Sequence, residues 1–130
     1  MTIIDQFSKF AKIYYLRNPN ATTVADTLID YFNQYTLPDK IIFDAGTGFN
    51  NNLVRELLKM HKITPHMTCI NNPKSNGAME RFHCTFIEHL RIINQRTELK
   101  NINNENKIKL AVIAYNQSNN EINFKRNSVW

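Results

Sequence analysis

The sequence predicts an α/β domain in which helices pack on a mixed sheet. Short segments rich in isoleucine, tyrosine and phenylalanine, which are typical of strands, alternate with longer segments whose apolar residues recur at helical spacing. Proline, asparagine and glycine separate these segments, and no repeat, low-complexity tract or linker interrupts them. With 130 residues, of which 42% are hydrophobic and 21% charged, the chain has the size and composition of one globular domain, and we expect residues 1–130 to form it.

The elements are predicted in the order β-β-α-β-α-β-α-α. The first two helices are expected to begin where an asparagine or threonine side chain is able to cap them, at Asn20, Thr22 or Thr23 and at Asn51 or Asn52. The strands are predicted at 2–5, 11–16, 40–44 and 63–70, and the apolar positions of the helices run from Val24 to Tyr35, Leu53 to Leu58, Met79 to Ile93 and Ile108 to Tyr115.

Charge is unevenly distributed along the chain. Residues 1–80 carry eight basic and seven acidic side chains, a net charge of +1, whereas residues 81–130 carry eight basic and four acidic side chains, a net charge of +4. Together these give the formal net charge of +5. A basic C-terminal part suits a polyanionic partner such as nucleic acid, and a solvated basic surface is the alternative.

The sequence argues against a membrane or secreted protein. Its longest apolar run, Leu110–Tyr115, has six residues, which is too short to cross a bilayer. Met1 is followed by Thr-Ile-Ile-Asp rather than by a basic and apolar leader. The two cysteines, Cys69 and Cys84, are too few for a disulfide framework, so we expect a reducing compartment.

Three carboxylates stand where ligands often bind in open α/β folds. Asp5 and Asp44 follow predicted strands, and Glu80 lies in the first turn of a predicted helix. Hard cations such as Mg²⁺ take carboxylate and phosphate oxygens, and two ions about 3.5–4 Å apart promote phosphoryl transfer. We therefore expect the carboxylates to converge on a shared metal pair and, because like charges repel, at least one of them to have a raised pKa. The alternative is three unrelated surface carboxylates, with Glu80 stabilised by the helix N-terminus.

Three sequence strings surround these carboxylates in a fixed order. They are Asp-Gln-Phe-Ser-Lys-Phe from Asp5, Asp-Ala-Gly-Thr-Gly-Phe from Asp44, and Asn-Pro-Lys-Ser-Asn-Gly-Ala-Met-Glu-Arg-Phe-His over 72–83, with 35 residues between Asp44 and Glu80. In these strings and this spacing the whole chain resembles the catalytic core of retroviral-type integrases. It is most similar to the integrases of gypsy-like LTR retrotransposons, within the retroviral integrase superfamily.

The resemblance implies an RNase H-like fold, with a mixed central sheet flanked by helices, and the activity of a metal-dependent polynucleotidyl transferase. Such enzymes carry out DNA integration: water cleaves the 3′ ends of the element DNA, and each new 3′-hydroxyl is then joined to target DNA. Asp5, Asp44 and Glu80 match the catalytic triad, which holds two Mg²⁺ or Mn²⁺ ions whose coordination the DNA completes. The implied partners are element ends, target DNA and further copies of the chain in a dimer or higher oligomer, without a membrane. The implied location is the nucleus.

The resemblance also indicates which residues contact DNA. Four lie in the polar loop before the catalytic helix, which approaches the DNA end in the family, and two lie on that helix. Lys74 stands where the family often has glutamine, and its charge suits a phosphate contact. His83, three residues after Glu80, shares a helix face with it, although an ordinary exposed histidine is the alternative. The predicted nucleic-acid-binding residues are Asn72, Lys74, Ser75, Asn76, Arg81 and His83.

Departures from the family pattern leave a second function open. Only four residues precede Asp5, the chain ends before the closing helix usual in the family, and the His-x-x-Thr stretch that usually follows Tyr115-Asn116 is absent. Gly48 stands where the family commonly has Glu or Gln. We therefore expect a domain that is incomplete at its N- and C-terminal edges. The second hypothesis is a catalytically inactive, decayed or co-opted integrase fragment that acts in nucleic-acid binding or self-association.

Overall fold

In the computed structural model the chain is an α/β protein, as the sequence predicts. The structure describes residues 1–43, 48–68 and 77–127, and no helix in that part of the chain is long and apolar enough to cross a membrane. The strands are β1 (Thr2–Ile4), β2 (Ala11–Ile13), β3 (Lys40–Phe43) and β4 (Thr64–Met67). The helices are α1 (Ala21–Gln34), α2 (Asn52–Met60), α3 (Gly77–Gln95) and α4 (Asn104–Asn127), with a 3₁₀ turn at Thr97–Leu99.

The chain divides into two compact units. The first consists of Met1 and residues 16–76, and the second of residues 2–15 and 77–130. Among the described residues the strands pair within the units as two two-stranded sheets, β3 with β4 in the first and β1 with β2 in the second. One pair is parallel and the other antiparallel, so among the described residues both strand directions occur, each in a separate sheet. The single domain over residues 1–130 stays a prediction.

In the first unit, α1 begins at one of the predicted caps. The Asn20 side chain accepts a hydrogen bond from the Thr23 N–H at 2.9 Å, and the Thr23 hydroxyl oxygen accepts one from the Asn20 N–H at 3.0 Å. This reciprocal pair is a capping box. Val24 and Leu28, one helical turn apart, are both buried. Tyr35, which the apolar spacing places in the helix, is instead the extended residue that ends it.

Both ends of α2 are fixed by local hydrogen bonds. The Asn51 side chain caps the first turn, as the sequence predicts. At the other end Lys62 has a left-handed backbone with φ of 55°, and its N–H donates to the Lys59 carbonyl at 3.1 Å. The Ile63 N–H donates to the Leu58 carbonyl at 2.9 Å, and both of these side chains are buried. The two bonds form a Schellman motif, which directs the chain from α2 into β4.

In the second unit, β1 and β2 form the predicted hairpin, with Ile4 opposite Ala11. The Asp5 N–H donates to the Phe10 carbonyl at 2.9 Å, so the N–H and C=O of Ala11 point toward the opposite edge of β2. There the Asn116 side chain of α4 forms hydrogen bonds with both groups. Its amide nitrogen donates to the Ala11 carbonyl at 2.8 Å, and its oxygen accepts from the Ala11 N–H at 2.9 Å.

The core of the second unit is an aromatic cluster between the hairpin, α3 and α4. The Phe82 ring meets the Tyr115 ring edge-on at 4.8 Å and stacks on the Phe86 ring at 5.4 Å. The predicted apolar face of α3 is thereby placed against the hairpin and α4. The buried members of the cluster are Ala11, Phe82 and Tyr115, and Ile4, Ile13, Met79 and Phe86 pack against them.

Candidate active site

Asp5 lies in the exposed turn that joins β1 to β2. Its Oδ2 accepts hydrogen bonds from the Ser8 N–H at 2.7 Å and from the Ser8 hydroxyl. The backbone closes the same turn, because the Lys9 N–H donates to the Asp5 carbonyl at 2.8 Å and Lys9 has a left-handed φ of 62°. The Asp5 side chain therefore holds the hairpin turn in its conformation.

These contacts set the pKa of Asp5. The Ser8 hydroxyl, followed by the Ser8 N–H, lowers the pKa of this carboxyl below its ordinary value of 3.8. Burial opposes the lowering, and the Phe7 N–H and the Lys9 charge add to it. The carboxylate is therefore ionised at neutral pH. A raised pKa, as expected for at least one member of a carboxylate cluster, does not occur at Asp5.

Glu80 is exposed in the first turn of α3. In the sequence it lies next to residues of the core that supports the hairpin. Ile4, one residue before Asp5, packs against the buried cluster around Phe82. Met79, one residue before Glu80, packs against the same cluster. One hydrophobic core thus fixes the residues that directly precede both carboxylates.

Asp44 lies outside the described residues, and Phe43 directly before it is buried and hydrogen-bonded. The Phe43 carbonyl accepts from the Thr68 N–H at 3.0 Å and from the Thr68 hydroxyl at 3.1 Å. The Phe43 ring stacks on the Phe49 ring with centroids 5.0 Å apart. Strand β3 therefore ends in a fixed residue immediately before the second predicted metal ligand.

The predicted metal ligands have donor chemistry that suits Mg²⁺ or Mn²⁺. Asp5 and Glu80 are exposed, and carboxylate oxygens are the donors that these ions prefer. Among residues 1–43, 48–68 and 77–127 no group of three or more His, Cys, Asp or Glu side chains is placed to hold a metal ion. A three-carboxylate site thus depends on Asp44, which is not among these residues.

Two of the predicted nucleic-acid-binding residues lie in the described part of the chain. Arg81 and His83 are both exposed on α3, close in sequence to Glu80. The Arg81 Nε donates to the Gly77 carbonyl at 3.2 Å, and the His83 ring lies 5.6 Å from the Phe82 ring, measured between centroids. The other four, Asn72, Lys74, Ser75 and Asn76, fall outside the described residues.

Two long-range polar contacts were not predicted. Thr68 holds the carbonyl of Phe43, and nothing in the local sequence distinguishes it from other strand threonines. Asn116 holds Ala11 across a separation of 105 residues. The Tyr115-Asn116 pair stands out in the sequence by its resemblance to the family, but this resemblance does not say which backbone groups Asn116 binds.

Comparison with known proteins gives relatives along nearly the whole chain. The Retrovirus-related Pol polyprotein from transposon opus of Drosophila melanogaster is 30% identical over 118 residues, which is 91% of this chain and 12% of the polyprotein. The Retrovirus-related Pol polyprotein from transposon gypsy of the same species is 26% identical over 130 residues, again 12% of the polyprotein. The chain is a relative of retrotransposon and retroviral Pol polyproteins. It spans 12% of the length of these two relatives, and no family model matches it.

Solved structures establish the fold. The catalytic core domain of BIV integrase has a TM-score of 0.70 at 22% identity, and the match covers 85% of this chain and 70% of that domain. The HTLV-2 integrase catalytic core domain, solved in complex with magnesium, has a TM-score of 0.69 at 16% identity, over 85% of this chain and 68% of that one. The chain has the RNase H-like fold of retroviral integrase catalytic cores. The predicted fold and the predicted resemblance to gypsy-like elements are both confirmed.

Proposed function

We propose that this chain is the catalytic core of a retrotransposon integrase and acts in DNA integration as a metal-dependent polynucleotidyl transferase. The observation that carries the proposal is the relationship to the opus and gypsy Pol polyproteins along nearly the whole chain. The integrase-core fold supports it. The proposed reactions are 3′-end processing of element DNA by water and strand transfer of the new 3′-hydroxyl into target DNA.

The proposed metal ligands are Asp44 and Glu80, with Asp5 as the third carboxylate of the predicted triad. A bound pair of Mg²⁺ or Mn²⁺ ions supplies charge stabilisation at the attacking and leaving oxygens of phosphoryl transfer. Glu80 offers its carboxylate from an exposed helical turn, and Asp44 follows the buried end of β3. The HTLV-2 core in complex with magnesium supports the choice of metal.

Asp5 has a structural role in the hairpin turn. Its Oδ2 already accepts two hydrogen bonds from Ser8. The metal-site proposal therefore depends first on Asp44 and Glu80. The same observation favours the second candidate function, an inactive, decayed or co-opted fragment that binds nucleic acid or itself, because a carboxylate that shapes a turn needs no catalytic role.

DNA is the proposed partner, at the exposed residues Glu80, Arg81 and His83 of α3 and at the predicted DNA-binding residue Lys74. The net charge of +5 supports a polyanionic partner. We further propose a homo-oligomer, since HTLV-2 integrase cores have been solved in trimeric and dimeric forms. The proposed location is the nucleus, where the target DNA lies.

Asp44→Asn and Asp39→Asn provide a matched test of the proposed function. Both remove one carboxylate charge near β3, but Asp39 lies before the strand, is exposed, and uses its backbone carbonyl to pair with the Thr64 N–H. We expect Asp44→Asn to reduce Mn²⁺-dependent cleavage and joining of labelled duplex DNA by at least about 10²-fold. Asp39→Asn should remain within about twofold of the wild type, because the charge it removes stabilises no reacting atom.

The assay uses this chain and the same segment within a longer Pol sequence, with DNA affinity measured by fluorescence anisotropy. Loss of metal-dependent activity in Asp44→Asn at unchanged DNA affinity supports the transferase. Equal activity of the two variants overturns the assignment of Asp44. DNA binding without activity in any form of the wild type overturns the transferase and supports the second candidate function.

A further inference from the structure

One residue donates two hydrogen bonds to the carbonyl of Phe43. The Thr68 N–H donates at 3.0 Å, in continuation of the parallel pairing of β3 with β4, and the Thr68 hydroxyl donates at 3.1 Å. Thr68 and Phe43 are each 5% exposed, so water has little access to these bonds. A carbonyl oxygen has two lone pairs, and here one side chain and its own backbone supply a donor for each.

The consequence is a fixed direction of the chain at the end of β3. A peptide group is planar, so holding the carbonyl of Phe43 also holds the plane in which the chain leaves that residue. The Phe43 ring adds a second restraint, because it stacks on Phe49 at an interplanar angle of 25°. The next residue in the sequence is Asp44.

We propose that Thr68 is a positioning residue for the Asp44 carboxylate, and that its hydroxyl holds the end of β3 in the orientation in which Asp44 binds metal. This inference rests on the proposed function, because it requires Asp44 to be a metal ligand. Groups that support a ligand without touching the metal typically change metal affinity by about 10–100-fold when they are removed. Since Thr68 acts through a backbone carbonyl, we expect the lower end of this range.

Thr27 provides a matched control within the same unit. It is also buried, and its hydroxyl donates to the Thr23 carbonyl of α1 at 2.7 Å. Thr68→Val and Thr27→Val each remove a buried hydroxyl that donates to a backbone carbonyl, and each keeps the β-branched shape of the side chain. Both variants should lose stability to a similar degree. Thr68 alone acts on the residue before Asp44.

The measurement is Mn²⁺ binding to the chain, followed by the electron paramagnetic resonance signal of free Mn²⁺. We expect Thr68→Val to weaken Mn²⁺ binding about tenfold, Thr27→Val to stay within about twofold of the wild type, and Thr68→Ser, which keeps a hydroxyl, to restore affinity to within about threefold. Thermal melts in EDTA establish that the two valine variants are comparably folded. Should Thr68→Val not fold, Thr68→Cys, with its weakly donating thiol, replaces it in the titration.

Asp44→Asn in the same titration separates the inference from the proposed function. Wild-type affinity in Thr68→Val, or an equal loss in Thr27→Val, overturns the positioning role provided that Asp44→Asn loses Mn²⁺ binding. A wild type that binds no Mn²⁺, or an Asp44→Asn variant that binds it as the wild type does, overturns the proposed metal site and the positioning role with it.

Discussion

Replacing Asn116 by alanine is expected to destabilise the unit that contains the hairpin, α3 and α4 by about 2–4 kcal/mol. The Asn116 side chain bonds to the outward edge of β2 as a neighbouring strand would, donating to the Ala11 carbonyl at 2.8 Å and accepting from the Ala11 N–H at 2.9 Å. Ala11 is 0% exposed, so its backbone N–H and C=O cannot form hydrogen bonds with bulk water in the folded chain. The variant therefore leaves two buried polar groups without partners.

The magnitude follows from that count. A buried backbone donor or acceptor that loses its partner costs about 1–3 kcal/mol, so two of them give about 2–6 kcal/mol. Asn116 is itself only half-buried, and water that enters the space of the removed amide recovers part of the loss. The expected destabilisation therefore lies in the lower part of that range.

Urea unfolding of the chain measures the effect, with Asn106→Ala as the control. Asn106 is exposed on the same helix, so the gain in helix propensity from Asn to Ala is common to both variants and cancels in their difference. Amide hydrogen exchange gives a local measurement, because the Ala11 N–H should exchange faster in Asn116→Ala only. Free energies of unfolding that agree within about 0.5 kcal/mol between the two variants would refute the role of Asn116 as a substitute strand.

Three further substitutions test the hairpin turn and the end of α2. Ser8→Ala should lower the free energy of unfolding by only about 0.5–1 kcal/mol at pH 7, since the turn is exposed. Because the pKa of Asp5 is lowered in the folded chain, this contribution is present above pH 3.8 and is lost as the pH falls through the lower folded pKa. A difference between the variant and the wild type that persists unchanged near about pH 2 contradicts this reasoning. In a titration with Mn²⁺, loss of metal binding in Asp5→Asn but not in Ser8→Ala assigns Asp5 a ligand role. Metal binding that is retained in both variants shows that Asp5 acts only in the hairpin turn. Lys62→Gly should stabilise the chain by about 1 kcal/mol and raise its melting temperature, because Lys62 has a φ of 55° that glycine adopts without strain. A lowered melting temperature would contradict this expectation.

Elements with local signals could be predicted from the sequence. The caps at Asn20 and Asn51 act within three residues of their own positions, and the hairpin joins neighbouring segments. The start of α4 was missed, because its first turn is polar and gives no apolar periodicity. There the Asn103 side chain accepts the Asn106 N–H at 2.8 Å and begins the helix at Asn104, four residues before the predicted apolar segment.

Contacts between distant segments could not be predicted in this way. The spacing of Asp44 and Glu80 is visible in the sequence, but the residues that fix their surroundings are not. Thr68 reaches Phe43 across 25 residues, and Asn116 reaches Ala11 across 105. Such partners depend on strand pairing and on helix packing, which periodicity does not specify. Sequence similarity placed Asp5 in the triad, whereas the structure shows that its carboxylate also shapes the turn through Ser8.

The most direct test of the central claim compares Glu80→Gln with Glu88→Gln in Mn²⁺-dependent strand joining. Both glutamates are exposed on α3, eight residues apart, and each variant removes one negative charge while keeping the side-chain shape. We expect Glu80→Gln to reduce the single-turnover joining rate by at least about 10²-fold, because a proposed metal anchor is lost, and Glu88→Gln to stay within about twofold of the wild type. Equal joining rates in the two variants would contradict the claim that Glu80 holds the catalytic metal.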